Sequence, residues 1–513
     1  MSAPRPRSQY GTQAGLAGGH HLATLAARDC LAEGGSLADA MVTASAVLAV
    51  VLPHASSLGG CAMMVCFDAK GGRVLALNGS GRAPLGAQPD LFTGGLPQRG
   101  VRAAVVPTVV RLWARAHERL GRLPWQRLFA PAIRLATRGT GLPEELARNL
   151  ASADAKVRAQ PGFDGLLRPQ GHDLVAGDLL RQPALAGVLQ AIADDGEAGF
   201  YDGPAAGSLV RFSRAHGGLF APEDFALAQA DWVAPWSGAC GDCSVDVMPP
   251  NSVGVLMLQQ LARWDHAGRP LGEADVAPAI EAAIAAIATG RNRVGDIDRT
   301  PCTPEDFGVV PPDHTDAQRA RFADSRAGVG DTTGFVAMDA EGNALAMLQS
   351  VFQPFGCGAV DPGTGILLNN RMFDFSPVPG DVNAVAPGVR PSHTLNPWLV
   401  RDARGVLAAG VSPGGVSQTT TGFQIASGAM DARTTLGELV ARPRWSLARD
   451  GTVLLEPGMP AAVAEALRAR GHAVQENSRH EFYFGSAKVV RRNGSGFIEA
   501  AADHRRQATA LAW

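Results

Sequence analysis

Aromatic residues are scarce in this sequence, at 6% of 513 residues, and so is charge, with Asp, Glu, Lys and Arg together at 18%. Neither sign prevails: 46 basic residues face 48 acidic ones, a formal net charge of −2. That balance gives no electrostatic case for nucleic acid or an anionic membrane surface as partner. Cysteines number seven, too few for a disulfide scaffold in a chain this long, and the odd count leaves at least one thiol unpaired. Long apolar runs are missing as well. The most apolar uncharged stretch, Met41 to Leu52, is too short to span a bilayer and suits a buried helix. No apolar segment follows Arg5 and Arg7 in the manner of a secretory leader, so a cytoplasmic enzyme is the expectation. No P-loop, no GxGxxG opening a helix and no HExxH is found, which leaves nucleotide binding and a zincin site without support.

What is abundant is glycine (61) and proline (35), with 46% hydrophobic residues. That composition excludes wholesale disorder and predicts a large core with many tight turns. Length alone suggests two to four domains' worth of chain. Leu22 to Glu33 reads as a helix ending at Gly34-Gly35. Ser36, with Asp39 three residues on, opens a second and nearly all-apolar helix that Pro53 ends. A hairpin is predicted over Cys61 to Asp68 and Arg73 to Asn78, a helical stretch over Arg111 to Asn149, and helices over Val253 to Leu261, Ala274 to Thr289 and Ala461 to Arg470. Residues 311–330 read as an exposed polar connector ending in Gly328-Val329-Gly330. A second hairpin follows at once, Thr332 to Asp339 and Ala344 to Ser350, and a last strand pair is expected around Phe482 to Ile498. Helices alternating with hairpins predict an α+β fold with helices covering both faces of antiparallel sheets.

The junction Gly330-Asp331-Thr332-Thr333-Gly334 joins a connector to a strand that opens on a hydroxyl. Cutting the bond between Asp331 and Thr332 would give Thr332 a nucleophile and a free α-amine together. An α-amine of pKa about 7.7–8.0 is a usable general base near neutrality. By themselves these residues favour an ordinary strand start. Ser412-Pro413-Gly414-Gly415, after the strand Leu407 to Val411, can turn two backbone N–H groups toward one point, as an oxyanion hole requires, or can be a plain tight turn. Asn369-Asn370-Arg371-Met372-Phe373-Asp374 is a polar cluster in which Asp374 could hold a substrate ammonium or be a solvated loop residue. Cys240 and Cys243 form a CxxC without a second pair or a neighbouring His, so neither a zinc site nor a redox site is favoured. His20 and His21, before the first helix, read as packing or capping residues.

Taken in order, Gly18-Gly19-His20-His21, Pro53-His54-Ala55-Ser56-Ser57-Leu58-Gly59-Gly60, Leu123-Pro124-Trp125, Phe200-Tyr201-Asp202-Gly203, Asp331-Thr332-Thr333, Pro362-Gly363-Thr364-Gly365 through Asn370 and Ser412-Pro413-Gly414-Gly415 resemble motifs of the γ-glutamyltransferase family of N-terminal-nucleophile hydrolases, over nearly the whole chain. The resemblance implies a four-layer αββα sandwich made as one precursor, a single large domain of two chains after self-cleavage between Asp331 and Thr332. Residues 1–331, with the linker 311–331, would form the large subunit and 332–513 the small one. It further implies Thr332 as nucleophile, Ser350 in the place of a supporting threonine, Gly414 and Gly415 as the oxyanion pair, and Asp374 as holder of a glutamyl α-amine. No metal and no cofactor are implied; the partner is a small amide substrate. The family's carboxylate clamp is rewritten: its arginine becomes Ser80, with Arg82 close by, an asparagine becomes Phe352, and paired serines become His393-Thr394. Arg82, Arg371 or His393 must then stand in if a carboxylate is bound. The expected function is hydrolysis of, with transfer from, a γ-glutamyl or similar small acyl amide. The alternatives are an acylase or amidohydrolase for another acyl group such as oxamate, and an uncleaved binding protein.

Overall fold

The computed structural model describes residues 7–264, 273–307 and 331–513, apart from Val416, Arg449, His480 and Glu481. The predicted connector 311–330 therefore lies outside the described residues. Two seven-stranded antiparallel sheets organise the chain. The first runs Thr509–Ala512, Ala14–Gly18, Asp331–Asp339, Ala344–Phe352, Cys61–Asp68, Arg73–Gly79, Asp231–Val233. The second runs Gln9–Gly11, Ile498–Ala502, Lys488–Arg492, Gly405–Val411, Trp398–Asp402, Cys243–Val247, Trp236–Cys240.

Side-chain alternation assigns the faces, because successive residues of a strand point to opposite sides. Met63, Val65, Val336, Met338 and Leu348 of the first sheet pack against Leu399, Ala409, Val411 and Val490 of the second. Their neighbours Met64, Phe335, Ala337 and Met347 face outward onto the helices Leu37–Val51 and Val109–Leu120. The second sheet turns Val245, Val400, Ala408 and Val489 onto the helices Gly254–Arg263, Glu273–Gly290 and Ser417–Ala429. The helix Leu37–Val51 is buried along its whole length and carries the predicted capping box, with Ser36 Oγ accepting from the Asp39 N–H and the Asp39 carboxylate accepting from the Ser36 N–H. No described helix is long and apolar enough to cross a membrane.

Several expectations need correction. The stretch Arg111 to Asn149 is not one helix but Val109–Leu120, a short 3₁₀ turn, Ala130–Arg138 and Glu144–Ala151, since Gly121 and Gly139 break the run. Ala14–Gly18, too glycine- and alanine-rich to read as a strand, lies beside the strand that carries Thr332. The final strands are Lys488–Arg492, Ile498–Ala502 and Thr509–Ala512. Cys240 and Cys243 face each other across a hairpin turn, and no disulfide is formed among the seven cysteines. His20 caps the first helix, its Nδ1 accepting from the Leu22 N–H at 3.3 Å.

Candidate active site

Thr332 is the second residue of the strand Asp331–Asp339, buried between helices and the second sheet. Its partner strand carries a bulge here: Asp331 pairs with Phe352 but Thr333 with Gln349, so Ser350 and Val351 together stand opposite Thr332. Phe352 pays for the extra residue with a positive φ of 83°, unusual for an aromatic side chain. The bulge aims Ser350 at the junction. Its Oγ accepts from Thr332 Oγ1 at 3.1 Å and from the Phe352 N–H at 2.8 Å, and donates to the carbonyl oxygen of Asp331 at 2.6 Å. One hydroxyl thus touches both the expected nucleophile and the carbonyl it would attack.

The Asp331 side chain is held from three directions. Its Oδ1 accepts from the Thr332 N–H at 2.9 Å and from Arg506, and His54 Nε2 stands 3.5 Å from its Oδ2. Arg506 also reaches Glu145 Oε1 at 3.4 Å, which lies 3.9 Å from His54 Nε2. His54, Glu145 and Asp331 bring three metal-type ligand atoms within 4.8 Å of one another. Arg506 bonds both carboxylates, so the cluster already carries the cation its anions require. Burial alone would raise the Glu145 carboxyl, but His54 and Arg506 hold it below the usual range.

Lys488 enters the same cluster because its strand pairs Lys488 with Val411. It is buried, donates to Ser486 O at 3.0 Å and Ser486 Oγ at 3.2 Å, and is pushed down to about 7 by burial and by Arg506, against the pull of Glu145, Asp503 and Asp331. In the unfolded chain a lysine titrates near 10.4. Between those values the unfolded state binds more protons, so stability rises as pH goes from about 7 toward 10. Lys488→Met should flatten that rise; thermal melts of both proteins at pH 7, 8.5 and 10 check it, and parallel curves would remove Lys488 as the source.

Val411 packs onto Gly334, where an added Cβ would lie 3.0 Å from Val411 Cγ2, so the loop Ser412-Pro413-Gly414-Gly415 leaves the second sheet close to the nucleophile strand. Gly414 and Gly415 have φ of +147° and +62°, conformations that side chains resist. A Cβ on Gly414 would lie 2.5 Å from Ser417 Oγ. Neither glycine N–H donates to another group among the described residues, and the helix Ser417–Ala429 begins two residues after Gly415. Two unused donors at a helix N-terminus suit a developing negative charge.

Asp374 and Arg371 close a 3₁₀ turn, both buried. Asp374 Oδ1 accepts from Arg291 Nη2 at 3.0 Å, and its Oδ2 is 3.6 Å from Arg371 Nη1. Arg291 donates to Ser392 Oγ at 2.9 Å and Arg371 to Thr394 Oγ1 at 3.4 Å. The Arg371 guanidinium lies 4.3 Å from the centre of the Phe352 ring. Burial pushes Arg371 down to about 10, and the His393 imidazole falls well below its ordinary value through burial and the two arginines. Arg82 does not join this group: it bonds Asp298 at 2.8 Å and the Gly388 carbonyl at 3.0 Å. Ser80 is buried, accepting from Asn251 Nδ2 at 2.9 Å. The structure therefore unites Thr332, Ser350 and Asp331 in one hydrogen-bonded group, and Arg371, Asp374 and Thr394 in another beside Phe352, with the buried His393 close enough to feel its arginines. Arg291, Glu145, Lys488 and Arg506 are site residues that the sequence reading missed.

The model of the gamma-glutamyltranspeptidase family matches residues 23–513. The chain belongs to that family. It is accordingly an enzyme, an amide hydrolase or acyltransferase. It is similar to the oxamate amidohydrolase proenzyme of Klebsiella pneumoniae, 32% identical with 96% of this chain and 97% of that protein covered. The glutathione hydrolase proenzyme of Escherichia coli is 30% identical, with 94% and 89% covered. Among solved structures, the cephalosporin acylase from Bacillus halodurans superposes with a TM-score of 0.90 at 27% identity, over 100% of this chain and 98% of that one. Proteins similar to this γ-glutamyltranspeptidase-family chain are thus named for three different compounds, oxamate, glutathione and cephalosporin.

Proposed function

We propose that the chain is a self-processing threonine amide hydrolase, built as a four-layer sandwich of the N-terminal-nucleophile type. The single observation that carries this reading is the Ser350 hydroxyl bridging Thr332 Oγ1 and the Asp331 carbonyl. In the uncut chain Thr332 Oγ1 attacks the Asp331 carbonyl carbon, and Ser350 relays the hydroxyl proton and steadies the oxyanion. The C–N bond then breaks as nitrogen takes a proton, leaving an ester that water hydrolyses. Residues 332–513 are thereby released with Thr332 carrying a free amine. That amine serves as general base when Thr332 attacks an amide substrate, the N–H groups of Gly414 and Gly415 receive the oxyanion, ammonia or an amine leaves, and water resolves the acyl-enzyme. The relatives named as proenzymes support the processing step.

The reading is tested by trapping. Purified protein incubated with an electrophilic amide analogue should carry one adduct, mapped by peptide mass spectrometry to an N-terminal Thr332. An adduct on Cys240 or Cys243, or an active enzyme with Thr332 still internal, would overturn it.

A further inference from the structure

The peptide between Asp331 and Thr332 is held unlike its neighbours in the strand. The bulge skips Thr332 in the ladder, where Asp331 pairs with Phe352 and Thr333 with Gln349. Side chains take both polar atoms of this peptide instead. Its carbonyl oxygen accepts from Ser350 Oγ, and its N–H donates to Asp331 Oδ1 at 2.9 Å. Arg506 aims that carboxylate. Its Nη1 donates to the same Oδ1 and lies 3.4 Å from both the Thr332 carbonyl oxygen and Glu145 Oε1. His54 Nε2 stands 3.5 Å from the other oxygen, Oδ2. All four side chains are buried, so Asp331 and Glu145 would repel strongly there without a cation. Burial opposes the Arg506 charge, yet the two carboxylates hold its pKa above the ordinary value. The contacts also come from both sides of the junction. His54 and Glu145 precede it, while Arg506 follows it, in the turn between Ile498–Ala502 and Thr509–Ala512.

We propose that Arg506 is a positioning residue for self-cleavage, holding the Asp331 carboxylate against the nitrogen that must leave. The proposal rests on the reading of Thr332 as the nucleophile of the same site. As Thr332 Oγ1 bonds to the Asp331 carbonyl carbon, its proton departs through Ser350. The nitrogen keeps its own hydrogen, gains one proton and carries positive charge as the C–N bond breaks. Asp331 Oδ1 already lies on that nitrogen and faces the charge as it develops. Water then splits the ester, which returns the Thr332 hydroxyl and leaves Asp331 with a free α-carboxylate. Because the clamp needs His54 and Glu145 from one side and Arg506 from the other, the cut follows the folding together of both halves of the chain.

The test follows the cut between Asp331 and Thr332 by intact mass during timed cell-free synthesis of the full chain. Arg506→Met should slow cleavage by about 10–100-fold, the loss expected of one charge-assisted contact. Arg506→Lys, which keeps the charge, should restore part of the rate. Asp331→Asn should slow cleavage to a similar degree. Joined with Arg506→Met it should add little, because both changes break the same contact, whereas independent structural damage would multiply. Should Arg506→Met fail to fold, Asp331→Asn carries the test, since it removes the charge at almost unchanged volume. Cleavage of Asp331→Asn at the wild-type rate, no recovery in a folded Arg506→Lys, or losses that multiply in the double variant would overturn the proposal. In each of those cases an uncut Thr332→Ala beside a cut wild type would leave the threonine reading standing. An uncut, inactive wild type would remove both.

Discussion

Thr332→Ala is expected to yield a single chain of 53.2 kDa, where the wild type separates into residues 1–331 and 332–513. Alanine has no oxygen to attack the Asp331 carbonyl, and Ser350 cannot substitute, because its hydroxyl is already committed to that carbonyl as a donor. Without an N-terminal amine the variant also lacks its base, so both halves of the chemistry go together. Removing the nucleophile of a hydrolase costs on the order of 10⁶ in kcat. The fold should survive, since the lost hydroxyl makes a single hydrogen bond and the apolar packing between the two sheets is untouched. Thr332→Ser is the control: it keeps the oxygen and should cut. Intact-mass spectra and ammonia release decide the matter. A processed Thr332→Ala protein would show that another group starts the cleavage.

Gly415→Val is expected to give a folded enzyme with kcat lower by about 10²–10³, the usual loss when an oxyanion donor is misaimed. At φ of +62° a β-branched residue is strained, and the relief of that strain rotates the peptide units on either side. The neighbouring N–H of Gly414 moves with it. Because self-cleavage places its carbonyl against Ser350 rather than against these glycines, processing should continue while turnover collapses. The split between the two reactions is the diagnostic measurement. Unchanged kcat in processed protein would move the oxyanion hole elsewhere.

The hairpin around Thr332 was legible because its strands alternate apolar and small residues and flank a Glu341-Gly342-Asn343 turn, and the paired glycines were legible because few other residues adopt their φ values. The ionic cluster was not. His54, Glu145, Lys488 and Arg506 come from four distant segments with no spacing rule to link them, and only the tertiary fold brings them together. Lys488 left one trace, an ammonium directly before the apolar pair Val489-Val490. Arg371 and Asp374 were visible as neighbours three residues apart. The further ion pair of Asp374 with Arg291, 80 or more residues earlier, left no trace in the sequence. Arg82 misled for the converse reason: nearness to Ser80 in sequence did not keep it at the site once Asp298 offered a partner.

The strand order of the two sheets bears on what cleavage does to the assembly. In the first sheet the strand Ala14–Gly18 lies between Thr509–Ala512 and Asp331–Asp339, and Ala344–Phe352 pairs with Cys61–Asp68. In the second, four strands from beyond residue 332 are bracketed by Gln9–Gly11 on one edge and Cys243–Val247 on the other. Chain halves interleaved in this way have no face along which they can part. If the bond before Thr332 is cut, the two halves stay joined through both sheets and melt together. Melting then frees two chains, so the melting temperature of the cut protein rises with its concentration where that of the continuous precursor does not.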